Sequence, residues 1–280
     1  MKAALVQLSV SDDPAANLPV TLNFIREAAA AGAGFVLTPE CTNLLSSDRG
    51  WQREVLCHEE DDPTLAALRA EAATLGITLL IGSLGLKTQD ADGRFANRSF
   101  LIGPSGQIVA RYDKIHMFDV DVSGTEKYRE SEGYRPGTRA VVADAGFAKI
   151  GMAICYDLRF PQLFRRTAKG GAQILTLPAA FNDTTGAAHW ESLIRARAIE
   201  NTCFVLAPAQ CGAHAVHDAT PGQRLRRTWG HSLAVAPWGE VLADGGEAPG
   251  VTLVEIDMAR VAEARGRVPS LAHDRAFEGP

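Results

Sequence analysis

Asn97-Arg-Ser-Phe-Leu-Ile-Gly-Pro-Ser-Gly-Gln-Ile-Val-Ala110 returns later in the chain as Gly230-His-Ser-Leu-Ala-Val-Ala-Pro-Trp-Gly-Glu-Val-Leu-Ala243, with Ser, Pro, Gly and Ala at four register-matched positions. Each copy sets two short apolar runs around Pro-x-Gly and reads as a β-hairpin. Proline presets the first turn residue, and glycine admits the positive φ that a tight connection needs. Four identities in fourteen are also within reach of chance, so the order of the flanking elements carries the argument.

Outward from the first copy, strands are expected at 3–9, 35–38, 77–83, 98–103 and 107–112, with helices at 17–31 and 62–75. Around the second copy the same order gives strands at 148–154, 173–177, 203–208, 231–236 and 240–244, with helices at 160–169 and 188–201. Both halves read β-α-β-α-β-β. Two such units predict an α/β protein in which two sheets pack face to face beneath outer helices, a four-layer α-β-β-α sandwich. Uniform composition over 280 residues, without a Pro/Ser-rich linker, predicts a single domain spanning 1–280.

Composition narrows the partners. A hydrophobic fraction of 46% and a charged fraction of 22% suit a globular protein, and a net charge of -5 gives no electrostatic case for nucleic acid. The amino-terminal stretch lacks a signal-type apolar region, and no run approaches the length of a membrane helix, so a cytoplasmic protein without a membrane partner is expected. Cysteines at 41, 57, 155, 203 and 211 contain no CxxC pair, which argues against a disulfide framework or a zinc cluster. His214, His217 and His231 lack regular ligand spacing, so no metal is expected. Trp190, Trp229 and Trp238 read as core or interface aromatics.

In this arrangement the strand ends at 38–40, 112–114 and 154–156 fall at one end of the sandwich, where open α/β sheets bind ligands. They carry Glu40, Lys114 and Cys155. A thiol at a strand end is displayed as a nucleophile, and Cys155 could attack an amide carbon to form a thioester. Glu40 would serve as general base and Lys114 would stabilise the oxyanion, with the backbone N–H of Tyr156 as a second donor. Taken singly, Glu40 also reads as a helix-start acid and Lys114 as a strand-end charge; only their joint placement favours chemistry. No Gly-x-Ser-x-Gly elbow, Gly-x-Gly-x-x-Gly or Walker loop supports a serine hydrolase or a nucleotide-binding module.

Thr38-Pro-Glu40, Tyr112-Asp-Lys-Ile-His-Met-Phe-Asp119 and Ile154-Cys-Tyr-Asp-Leu-Arg-Phe-Pro161 resemble the three signature segments of the nitrilase superfamily, the carbon-nitrogen hydrolases. The resemblance extends to Ala180-Phe-Asn-Asp-Thr-Thr-Gly-Ala-Ala-His-Trp190 and Trp229-Gly-His-Ser232. It implies the α-β-β-α sandwich, a Glu40-Lys114-Cys155 triad, no metal or organic cofactor, and a homodimer or larger assembly. It also implies a second glutamate that positions Lys114, matched by Glu130, with Glu126 and Glu132 as neighbouring competitors. The implied activity is an amidase cleaving a linear amide of a small carboxylate substrate with release of ammonia. Segment 181–186 resembles equally the branches acting on deaminated glutathione and on 2-oxoglutaramate, whereas 200–212 resembles the deaminated-glutathione branch more closely; nitrilase and N-carbamoyl activities use the same triad.

Such substrates carry carboxylates, which a planar guanidinium matches bidentately. Arg159 is the first candidate, with Arg195 and Arg197 behind it, and Phe118, Phe181 and Thr185 are expected to line the pocket. The segment 213–228, basic at Arg224, Arg226 and Arg227, reads either as a lid or as a surface loop. The tail from Val268 to Phe277 resembles tails that pack against a partner subunit, or is a loose terminus.

Overall fold

A computed structural model describes residues 1–123, 126–220 and 225–279. The first half runs β1 (Lys2–Gln7), α1 (Pro14–Ala30), β2 (Phe35–Leu37), α2 (Arg49–Val55), α3 (Pro63–Leu75), β3 (Thr78–Leu86), β4 (Ala96–Ile102) and β5 (Ile108–Asp113). A hairpin of β6 (Asp119–Ser123) and β7 (Glu126–Arg129) leads to β8 (Val141–Asp144). The second half follows as β9 (Lys149–Met152), α4 (Pro161–Lys169), β10 (Ile174–Thr176), α5 (Asp183–Asn201) and β11 (Phe204–Ala207). Next come the small pair β12 (Cys211–Ala213) and β13 (Arg227–Trp229), then β14 (Leu233–Val235) and β15 (Val241–Asp244). β16 (Gly250–Glu255) and α6 (Ala259–Arg267) complete the chain's regular structure.

Two six-stranded sheets form, ordered β16-β1-β2-β3-β4-β5 and β15-β14-β11-β10-β9-β8. In each, three parallel strands are followed by an antiparallel hairpin, so both halves have the predicted β-α-β-α-β-β winding. The repeated hairpins match down to single hydrogen bonds. Gly106 N donates to Gly103 O and Gly103 N to Gln107 O, as Gly239 N does to Ala236 O and Ala236 N to Glu240 O. The turn glycines Gly106 and Gly239 have φ of 79° and 96°, and the ladder shifts register at Leu101/Ile102 and at the equivalent Ala234/Val235. A three-residue hairpin loop of this kind requires the left-handed glycine, which is why that residue recurs.

Alternation along the strands builds the four layers. Ala3, Leu5, Phe35, Leu37 and Leu80 enter the core shared with Ile150, Met152 and Ile174, whereas Ala4, Val6, Val36, Leu79 and Ile81 pack beneath Ile25 of α1 and Leu68 of α3. Period-two patterning with both faces buried makes these strands read as continuous apolar runs. Leu163 and Phe164 of α4 with Trp190 and Ile194 of α5 cover the second sheet. The helix ends follow from capping: Asp13 accepts from Ala15 N and Ala16 N before Pro14 opens α1, and Asp62 accepts from Leu65 N to start α3. α5 starts five residues before its expected position, because Asn182 caps it at Thr185 N and draws Asp-Thr-Thr-Gly into the first turns.

The sixth strand of each sheet was not anticipated. β8 pairs antiparallel with β9, its close neighbour in sequence, but β16 reaches β1 from the far end of the chain. Met1 and Ile256 exchange bonds, the terminal ammonium to Ile256 O at 2.8 Å and Ile256 N to Met1 O at 2.7 Å. Beyond α6 the tail turns back on α4, where Asp274 meets Arg165 and Lys169 and Phe277 stays exposed. Among the described residues no helix is long and apolar enough to cross a membrane.

The two halves are joined at one end by a buried carboxylate, Asp157. Its Oδ2 accepts from Tyr112 Oη at 2.6 Å and Ile154 N at 2.9 Å, and its Oδ1 from His116 N at 3.0 Å and His116 Nδ1 at 2.7 Å. All four donors come from the segments that carry Lys114 and Cys155. Asp157→Ala would orphan them in the interior, so a loss of roughly 3–5 kcal/mol is expected in urea unfolding; a loss under about 1 kcal/mol would show that the tie is unimportant.

Candidate active site

Glu40 leaves the end of β2 on a turn that crosses β3. Gly82 N donates to Thr38 Oγ1 at 3.0 Å, Cys41 N to Ser83 Oγ at 2.9 Å and Thr42 N to Ser83 O at 2.8 Å. A Cβ on Gly82 would stand 2.1 Å from Thr38 O, so only glycine lets the strand pass beneath the turn. Lys114 follows β5 and is fixed through its own backbone by Asn97 O at 3.0 Å and Gly137 N at 2.7 Å. Cys155 follows β9 at φ 47° and opens a short 3-10 helix, Cys155–Arg159. Its N–H is spent on Pro178 O at 3.0 Å. The next N–H, of Tyr156, lies in the first turn of that helix, where donors have no intrahelical partner.

The three side chains meet. Lys114 Nζ lies 2.9 Å from Glu40 Oε1 and 2.8 Å from Glu130 Oε2, and the Cys155 thiol lies within reach of the Glu40 and Lys114 charges. Ala180 N donates to Glu40 Oε2 at 2.8 Å, and Asn97 Nδ2 to Glu40 Oε1 at 2.9 Å and to Glu130 Oε1 at 3.3 Å. Glu40 and Lys114 are 3% and 2% exposed, so these charges act on one another with little screening by water.

Burial pushes the Glu40 carboxyl up, but the Lys114 ammonium, with donors from Cys155 and Ala180, outweighs it and holds the group below its ordinary value. Burial works against the Lys114 ammonium too, yet Glu130 and Glu40 hold its pKa well above normal. Burial and then the Glu40 charge raise the Cys155 thiol far above its usual value. The resting site is therefore carboxylate, ammonium and neutral thiol, an arrangement in which a proton can pass from sulfur to a nearby carboxylate during an attack rather than before it.

These residues face a cavity of about 700 Å³. Phe118, Tyr156, Phe181 and Thr185 line it, as does Glu130, whose Oε2 also accepts from Phe118 N at 2.7 Å. Of the competing acids, Glu126 accepts from Tyr128 Oη and Asn182 Nδ2 instead, and Glu132 lies exposed at the rim. Arg159 does not line the cavity. On a helix of three residues per turn, position i+4 points a third of a turn away from i. Its guanidinium stands 5.9 Å over the Tyr156 ring and 5.5 Å over Phe181, with Nη2 3.3 Å from His189 Nδ1. Arg195 bonds Gly239 O and Glu191, while the buried Arg197 bonds Leu158 O and steadies the turn after Cys155.

The segment 213–228 is anchored at its base by pairing of β12 with β13; Arg224 lies outside the described residues. His214 is buried between Val10 O and Thr228 Oγ1, and burial pushes its imidazole down to about 4. His217 stacks on Trp51 and pairs with Asp12 at 2.8 Å, and His231 pairs with Asp244 at 3.0 Å. Leu225 and Arg226 line the cavity, and Arg227 faces outward. Sequence reasoning did not single out Asn97, Ala180 or Arg49, which line the cavity, and named Arg226 only within the segment read as a lid or a surface loop. Asn97 stood in plain view at the start of the repeat, where its counterpart is Gly230, and that asymmetry was the available signal.

Comparison with known proteins identifies the family. The family model for carbon-nitrogen hydrolases matches residues 2–266. A deaminated glutathione amidase of Yersinia enterocolitica is 38% identical over 273 residues, covering 97% of this chain and 92% of that protein. The omega-amidase NIT2 of Homo sapiens is 36% identical over 277 residues, covering 98% and 95%. The crystal structure of the C. elegans NitFhit protein superposes with a TM-score of 0.89 at 34% identity, over 98% of this chain and 65% of that longer one. On sequence and fold alike, the chain belongs to the carbon-nitrogen hydrolase family, as a hydrolase of non-peptide carbon-nitrogen bonds.

Proposed function

We propose that the protein is an amidase working through a Cys155 thioester on a small 2-oxo acid amide of the deaminated glutathione type. The carrying observation is the placement of one carboxylate, Glu40, 2.9 Å from the Lys114 ammonium and close enough to the Cys155 thiol for its charge to raise that thiol. Cys155 sulfur attacks the amide carbon as its proton passes to Glu40. The oxyanion is held by Lys114 Nζ and Tyr156 N–H. The carbon–nitrogen bond then breaks and Glu40 returns the proton to the leaving amine. Water, deprotonated by Glu40, attacks the thioester, and the proton ends on the departing sulfur.

Charge is conserved through the first step. Glu40, Glu130 and Lys114 sum to one negative charge at rest; once Glu40 is protonated, the oxyanion restores it. Lys114 exchanges one anionic partner for another while Glu130 keeps it in place, which suits a site with little water to absorb a change of charge.

The relatives' names support the substrate class. The side-chain amide of deaminated glutathione is substituted on nitrogen, so its cleavage releases a cysteinyl amine, whereas 2-oxoglutaramate releases ammonia. An ammonia assay alone would therefore see only the second substrate. Release of 2-oxoglutarate from both, compared side by side with nitriles and N-carbamoyl amino acids, decides among them, and higher kcat/KM on a nitrile would overturn the reading.

Cys155→Ala should lower kcat by at least about 10⁴-fold with the fold intact by circular dichroism; a loss under tenfold would eliminate the thioester. Glu130→Gln should lower kcat by roughly 10²-fold with a smaller change in KM, as expected for a group that steadies Lys114. With Glu40 ionised below the ordinary carboxylate range and the thiol protonated above its ordinary range, kcat/KM should be flat from about pH 5.5 to 8.5. A thiolate titrating near neutrality in iodoacetamide alkylation would contradict the neutral-thiol ground state.

A further inference from the structure

We propose that the cavity selects substrates carrying a carboxylate on each side of the scissile amide, with Arg226 holding the acyl-side carboxylate and Arg49 the one on the leaving amine. This deepens the amidase reading above and rests on it. Both arginines line the cavity and are partly exposed, one from each half of the chain. Among the described residues neither is paired with an acid. The other cations of the cavity differ: Lys114 is held by two glutamates, Arg129 pairs with Asp121 at 2.8 Å, and Lys127 is exposed at the rim.

Arg226 lies next to the reacting groups. Its Nη2 donates to Ala180 O at 3.2 Å, and the N–H of that same residue donates to Glu40 Oε2. Its guanidinium also stands 5.5 Å over the Tyr128 ring. One of five N–H donors is thus used, and the rest of the planar fork remains for a carboxylate. The short acyl chain of a 2-oxo acid places its carboxylate near the amide carbon, as this position requires.

Arg49 stands on a different wall, at the start of α2. Its Nη1 donates to Gln52 Oε1 at 2.8 Å and its guanidinium lies 5.3 Å over Tyr134, against Gly133. Glu132, beside Gly133, is exposed and forms no ion pair with it. A cavity of about 700 Å³ exceeds what a five-carbon monoamide fills and has room for the dipeptide-sized leaving group.

The test compares kcat/KM for deaminated glutathione and for 2-oxoglutaramate in the wild type, Arg226→Met and Arg49→Met, with Arg→Lys at each position as charge-retaining controls. Arg226→Met should reduce both values by on the order of 100-fold, mainly through KM, keeping their ratio within about threefold. Arg49→Met should lower the ratio of the long to the short substrate at least about tenfold, and wild type should show the same drop when the terminal glycine carboxylate is capped as an amide. The lysine variants should recover part of each loss. An unchanged ratio in Arg49→Met, or unchanged values in Arg226→Met, overturns the two-cation assignment while wild-type turnover leaves the amidase reading standing. Wild-type failure on both substrates overturns both.

Discussion

A single ammonium caught between two carboxylates, away from water, is the interaction on which the rest of the site depends. An unpaired Lys114 at this depth would deprotonate, and an unpaired Glu40 would take up a proton; each keeps its working charge only because the other is there. That mutual requirement explains the density of backbone anchoring around them. Ala180 N, Phe118 N and Asn97 Nδ2 occupy further carboxylate lone pairs and fix how both acids are turned.

The repeat builds a scaffold whose symmetry stops where chemistry begins. The hairpins at 103–107 and 236–240 agree bond for bond, but the positions that matter differ between halves. Asn97, which bridges Glu40 and Glu130, corresponds to a glycine in the second copy. The first half supplies Glu40 and Lys114, the second Cys155 and the Ala180 donor, and Asp157 bonds the turn after Cys155 to the segment flanking Lys114. Two similar sheets packed face to face therefore give one site rather than two.

What could be read from the chain alone follows the range of the forces involved. Glu40, Lys114 and Cys155 each close a strand, and strand ends are marked by local apolar runs and turn residues. Capping explains the helix bounds in the same way. Partners fixed by tertiary approach left little local trace: β16 finds β1 across the whole sequence, and Arg226 reaches the cavity from a basic segment whose pattern left lid and surface loop equally open. Arg159 stands behind the rings of Tyr156 and Phe181 rather than in the cavity lining for a related reason. Closeness to Cys155 in sequence says nothing about direction, and the tight 3-10 turn aims the two side chains apart.

The unequal sixth strands give the two sheets different folding histories. All six strands of the second sheet lie between residues 141 and 244, with β8 beside β9, so its pairing involves moderate sequence separations. The first sheet spans residues 2 to 255 and cannot be completed until β16 exists. During synthesis β1 leaves the ribosome first and finds its outer partner last, exposing an unpaired edge for most of the chain's emergence. Glu40 and Lys114 both follow strands of that first sheet, so two of the three residues that meet in the site are carried by the sheet whose last strand is synthesised later.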